Sequence, residues 1–117
     1  MASYSQVAEI TAPAPRLLYL AGHSGHDASG KLPDGISAQA NLCFKNIAGA
    51  LTAMGLTVDD LVKINVYLTS RDDLPAYREA RDSALGSIQP ASTLVIVKEL
   101  AGPGMLCEIE AVAAATA

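Results

Sequence analysis

Glu108 and Glu110 stand two residues apart in the apolar run Leu106 to Ala113. A strand sends such residues to one face, so both carboxylates point the same way. One carboxylate of a pair can position water or exchange a proton with a reacting group; the same pair also suits a solvated rim or an ion-paired interface. His23, His26 and Asp27 lie in a glycine-rich stretch. An imidazole there can act as acid, base or hydrogen-bond donor near neutral pH, or simply be a solvated loop side chain. The spacing fixes no metal geometry, and no metal is expected. Arg78 and Asp82 are four apart and read as an ion pair on a helix surface. Cys43 and Cys107 match no zinc spacing and form no disulfide framework; they read as buried thiols in a reducing compartment.

These groups need elements to hold them. Residues 4–11 alternate well enough for a short strand, which Pro13 and Pro15 end. Arg16 to Ala21 is a second strand. Gly22 to Gly35 contains four glycines and reads as a loop long enough to carry function. Ser37 is the expected N-cap of a first helix. Ala40, Phe44, Ile47, Ala48, Leu51 and Met54 fall on its apolar face, with Gly55 as its left-handed stop. In LVKINVYLTS, Val62, Ile64, Val66 and Leu68 alternate with Lys63, Asn65, Tyr67 and Thr69, which predicts a strand with one apolar face. A second helix is expected over 74–85, with Pro75 in its first turn and Leu74, Tyr77, Ala84 and Leu85 on its apolar side. Strands at 93–100 and 106–113 follow.

The order β-β-α-β-α-β-β predicts an α+β, two-layer sandwich over residues 1–117, a single domain, with two helices on one face of a single sheet. The other face mixes small apolar and polar residues and invites a second subunit. Composition agrees: half of the 117 residues are hydrophobic and 17% are charged, low for a soluble domain. The net charge is −4 and no basic run tracks a phosphate backbone, so no nucleic-acid partner is expected. No apolar stretch is long enough to span a membrane, and the N-terminal residues lack a signal-peptide pattern. A cytoplasmic protein is expected.

Several segments, taken in order, resemble the RidA/YjgF family, also called the reactive intermediate deaminase or L-PSP (endoribonuclease) family. Tyr4-Ser5-Gln6 is similar to the family's N-terminal P-Y-S-Q segment, and Gly22 to the glycine of its S-G-Q turn. Gln39 to Ile47 resembles its first helix. Gly55-Leu56, Asp59 to Lys63 and Val66 to Thr69 resemble its G-L-x-x-D-D-V-V-K-x-x-V-Y-L-T run. Pro90-Ala91 resembles the start of P-A-R-S, and Glu108 to Ala111 the terminal E-I-E-A strand.

The resemblance implies a chorismate-mutase-like fold and a homotrimer whose sheets face inward as a central barrel. It also implies small-molecule clefts between subunits and cofactor-free hydrolysis of reactive enamines and imines to carbonyl products and ammonia. It casts Glu108 as the water-positioning carboxylate and Tyr4 as a cleft residue, with Gly22 and His23 beside them. Where the family keeps its carboxylate-binding arginine, this chain has Ser92. A serine offers one neutral hydrogen bond in place of a charged two-pronged clamp. Arg78, at a position where the family commonly has Asn, is the candidate replacement, with Arg81 behind it. Three functions follow: an imine/enamine deaminase with an altered cleft, a trimer that binds a small metabolite or hydrolyses a different substrate, and an RNA-cleaving or translation-inhibiting protein. The acidic charge balance disfavours the third.

Overall fold

A computed structural model describes residues 4–116; the first three residues and the last, which the single-domain expectation also covers, lie outside it. Four strands and two long helices alternate along the chain: β1 (Arg16–His23), α1 (Ile36–Ala53), β2 (Leu61–Leu68), α2 (Leu74–Leu85), β3 (Ala91–Ile96) and β4 (Cys107–Ala115). Short 3-10 turns at Val58–Asp60 and Arg71–Asp73 lead into β2 and α2. The sheet order is β1-β4-β2-β3. β4 runs antiparallel to both neighbours, and β2 and β3 are parallel, with α2 as the crossover that a parallel pair requires.

Both helices cover one face. Buried there are Ala40, Phe44, Ile47 and Leu51 from α1, Tyr77, Ala80 and Leu85 from α2, and Ile64, Val66, Leu68, Ile109 and Ala111 from the sheet. Cys43 and Cys107 are free, buried thiols. The Cys43 thiol donates to the His23 carbonyl at 3.0 Å. Its contact with Cys107 and its burial push its pKa well up, which keeps it a neutral, packed group.

The α+β sandwich is as expected, but several local expectations are corrected. Residues 4–11 form no strand: Ser5 makes one isolated parallel bridge to Ala91, while Val7 and Ile10 stay exposed with no neighbour to repay a strand. In β2 the register slips between Leu61 and Lys63. This bulge gives the core position expected of Val62 to Leu61. Ser37 is not the N-cap. That position belongs to Gly35, at φ +87°, and Ser37 lies inside the first turn, its carbonyl accepting from Asn41. Met54 and Ala84 are exposed rather than core-facing. β3 and β4 begin at Ala91 and Cys107. Gly55 does end α1, at φ +79°: its N–H bonds the Thr52 carbonyl and that of Leu56 the Leu51 carbonyl, a complete Schellman stop.

The uncovered face of the sheet presents Leu17, Tyr19, Lys63, Asn65, Tyr67, Glu108 and Glu110. Tyr19 is 77% exposed. No helix among the described residues is long and apolar enough to cross a membrane.

Candidate functional site

A cavity of about 830 Å³ opens at the β3 edge of the sheet, between that strand and α2. Its β3 wall is Ser92, Leu94 and Ile96, side chains that β2 pairing places on the helix-covered face, opposite Ile64, Val66 and Leu68, and it reaches round the edge to Val95, which pairs with Tyr67. Its helical wall is Leu74, Tyr77, Arg78 and Arg81. These four fall at steps of three, one and three, one stripe of a 3.6-residue helix. Arg71, one turn earlier on the 3-10 segment, continues the stripe into the cavity. Tyr4 closes one side. It is held there because the next residue is tied to the chain before β3: the Ser5 N–H bonds the Pro90 carbonyl at 3.1 Å, and its hydroxyl donates to the Gln89 carbonyl.

Three of the chain's four arginines therefore line one cavity. Arg81 donates through Nε and Nη2 to Asp82 at 3.1 and 3.0 Å and lies 6.0 Å above the Tyr77 ring. This replaces the expected Arg78–Asp82 pair. Arg78 makes no ion pair among the described residues and lines the cavity. Burial pushes the Tyr77 phenol well above its ordinary range, with Arg81 pulling it partly back.

A second group of expected residues lies on the uncovered face. Gly22 packs against Glu108: a Cβ on Gly22 would stand 2.8 Å from Cδ of Glu108 and 3.0 Å from its Oε2. The close approach comes where β1 changes register between Leu20 and His23. His23 follows, its Nδ1 bonded to the Ala21 carbonyl at 2.7 Å; that contact makes Nδ1 the donor and leaves Nε2 as an acceptor when the ring is neutral. Glu108 makes no hydrogen bond or ion pair among the described residues. Glu110 is engaged: it accepts from the Tyr67 hydroxyl at 2.7 Å and from Asn65 at 3.2 Å. That hydrogen bond, with burial, raises the Tyr67 pKa.

Tyr4, Ser92 and Arg78 are thus brought together, and so are Gly22 and Glu108; His23 is not brought to Glu108, because it pairs in register with Ile109, whose side chain faces the core. The two groups sit on opposite faces of one sheet, and the cavity lining includes none of the second group. Arg71 was missed from the sequence, although its spacing to Leu74, Arg78 and Arg81 extends the helical stripe and was there to be read. Gln39 was missed too. It is 2% exposed; its amide donates to the Pro33 and Gly104 carbonyls, and its oxygen accepts the Leu106 N–H. With Asn46, which donates to the Ser24 and His26 carbonyls, it fixes residues 24–35; Gly22 and His23, expected in this loop, instead belong to β1. That loop is pinned scaffold as much as candidate site. Asp27 also caps it, and hydrogen bonds from Ser29 and the Lys31 N–H hold its carboxyl below the usual range. Among the described residues no three His, Cys, Asp or Glu side chains gather in a metal-binding group.

The family model described as "Endoribonuclease L-PSP" matches residues 1–115. "Protein mmf2, mitochondrial" of Schizosaccharomyces pombe is 32% identical over 100 residues, 84% of this chain and 79% of its own length. A "2-iminobutanoate/2-iminopropanoate deaminase" of Dermatophagoides farinae is 28% identical over 99 residues, 83% of this chain and 74% of its own. The solved structure of RidA from an Antarctic Psychrobacter superposes with a TM-score of 0.80 at 32% identity, covering 96% of this chain and 88% of that one. The chain belongs to the Endoribonuclease L-PSP family, the RidA/YjgF family of its deaminase relatives.

Proposed function

We propose that the protein hydrolyses reactive 2-imino acids, and the enamines in equilibrium with them, to 2-oxo acids and ammonia, with its substrate anchor moved from β3 to α2. The observation that carries this is the cavity itself. Ser92 brings no charge, but Arg78 opens into the same space from the neighbouring helix, beside Tyr4. A guanidinium there can grip a carboxylate with two hydrogen bonds. The deaminase relative supports the reaction class.

The chemistry needs a second part. Water adds to the imine carbon as the nitrogen is protonated, and the carbinolamine then collapses to a carbonyl and expels ammonia. The net change is one water consumed and one ammonia released. Glu108 suits the base: its carboxylate is unpaired, partly buried and set against Gly22, where no side chain crowds it. Because Glu108 and Arg78 lie on opposite faces of one chain, the working site is built between copies, Glu108 from one subunit and Arg78, Tyr4 and Ser92 from the next. A homotrimer closed through the uncovered sheet faces supplies this arrangement and also covers Tyr19 and Leu17. Two free buried thiols fit the reducing cytoplasm as its compartment.

The test is ammonia release from imines generated in place by an amino-acid oxidase. The wild type accelerates it over buffer; Glu108→Ala and Arg78→Ala each remove about tenfold or more of kcat/KM. No acceleration by the wild type across several side chains ends the proposal and leaves the alternative, a trimer that binds a metabolite without deaminating it.

A further inference from the structure

Binding one carboxylate accounts for one guanidinium, and this cavity has three. Among the described residues, the one salt bridge to any of them joins Arg81 to Asp82, whose carboxylate is 62% exposed. Arg71 and Arg78 have no carboxylate partner there. The lining contains no Asp or Glu, in a chain whose net charge is −4. Asp72, Asp73, Glu79 and Asp82 flank the arginines along the chain, but none of these carboxylates lines the cavity into which the three guanidiniums open. The volume points the same way: about 830 Å³ is in the range of sites for ligands well beyond three carbons. The polar groups sit along the helical wall and at Tyr4, with Leu94 and Ile96 opposite, so an extended ligand can lie along the stripe with an acid near each end.

We infer that the cavity takes a small ligand with two acidic groups, a 2-oxo or 2-imino acid whose side chain ends in a second carboxylate or a phosphate. Arg78 meets the α-carboxylate and Arg71, seven residues and about two turns away along the stripe, meets the second acid. Arg81, already paired with Asp82, adds field rather than a full contact. The assignment of the α-carboxylate rests on the hydrolase reading above; the requirement for two anions rests on the three guanidiniums alone.

Calorimetric titration of the intact protein separates these. The probes are 2-oxoglutarate, 3-phosphoglycerate and, as a monoanion of equal chain length, 2-oxopentanoate. The expected result is at least about tenfold tighter binding of one or both dianions than of 2-oxopentanoate. Tighter binding of 3-phosphoglycerate, which carries close to three negative charges near neutral pH, points to a phosphate as the second acid, and tighter binding of 2-oxoglutarate to a carboxylate. Arg71→Gln should weaken the dianion at least about fivefold more than the monoanion, while Lys31→Gln, outside the cavity, should leave the ratio alone. Equal binding of all three probes, or equal loss in both variants, overturns the inference. The imine assay is run beside it with oxidase-generated imines of glutamate and norvaline. A dianion preference without any hydrolysis keeps this inference and ends the hydrolase reading; hydrolysis without the preference does the reverse.

Discussion

Gly22 and Glu108 are in such close contact that a methyl group on Gly22 would overlap the Glu108 carboxyl carbon. The glycine is therefore a condition for where the carboxylate sits. In Gly22→Ala the new Cβ meets the end of a flexible side chain rather than backbone, so Glu108 swings aside and the fold survives. We expect a loss of about tenfold or more in imine hydrolysis with a stability change under about 1 kcal/mol. Melting temperature and kcat/KM measured together check it; wild-type activity in the variant would show that the carboxylate's position does not matter.

Glu110, two residues on, has a different role. It accepts from Tyr67 and Asn65 across the β2–β4 pair, and this bond raises the Tyr67 pKa. A phenol whose folded pKa lies above its unfolded value stabilises the fold fully below the unfolded value. That contribution is lost as pH rises through the folded pKa. Removing the acceptor with Glu110→Ala should therefore destabilise at pH 8 and lose most of its effect in strong alkali. Urea unfolding at both pH values, with phenolate absorbance followed in parallel, tests the sign. A Tyr67 titration unchanged by the substitution would break the link.

The sequence resolved these two carboxylates only by their shared face. Period two places Glu108 and Glu110 together, but cannot say that Tyr67 and Asn65 engage one and leave the other unpaired, because that depends on the β2–β4 register. The same applies to the Leu61 bulge: strict alternation favours Val62, and one extra residue reverses it. The helices were legible because α1 and α2 carry sustained apolar stripes and a glycine stop. Residues 4–11 misled because their alternation finds only one bridge, Ser5 to Ala91, among the described residues. The cavity was half legible. Tyr4 and Ser92 came from segment resemblance and Arg78 from its place on a helix. Arg71 lies in a 3-10 turn, and the helical stripe was not extended back into it.

Gln39 gives a stability prediction that owes nothing to the site. Three hydrogen bonds from one buried amide join α1 to the 24–35 loop and to the turn before β4. Gln39→Leu keeps the volume and leaves the Leu106 N–H and two carbonyls to find other partners. The expected loss is about 2–3 kcal/mol, with faster proteolysis in the loop. A change under about 0.5 kcal/mol would mean the loop is held by Asn46 alone.

Tyr77 should behave in the opposite way. Its hydroxyl is buried with no hydrogen-bond partner among the described residues, while its ring packs 6.0 Å from Phe44 and under Arg81. Tyr77→Phe keeps the ring contacts and removes the unpaired oxygen, so it should stabilise by about 1 kcal/mol. A destabilised variant would show that the hydroxyl has a partner in the assembled protein.

Ser92→Arg asks whether the anchor has moved or been lost. If Ser92 marks a lost anchor, restoring the arginine should create or raise deaminase activity. If Arg78 already serves, a fourth guanidinium enters a cavity that is lined by three and by no carboxylate, with only Arg81 paired, to Asp82 outside the lining. Like charges about 8 Å apart cost on the order of 2 kcal/mol at an effective dielectric of about 20, and a long side chain on β3 would also fill the space the ligand needs. We therefore expect Ser92→Arg to lower both the melting temperature and kcat/KM, with the loss of stability easing at high salt as the repulsion is screened. A gain of about tenfold or more in imine hydrolysis, in a variant as stable as the wild type, would return the anchor to β3 and leave the α2 arginines as surface charge.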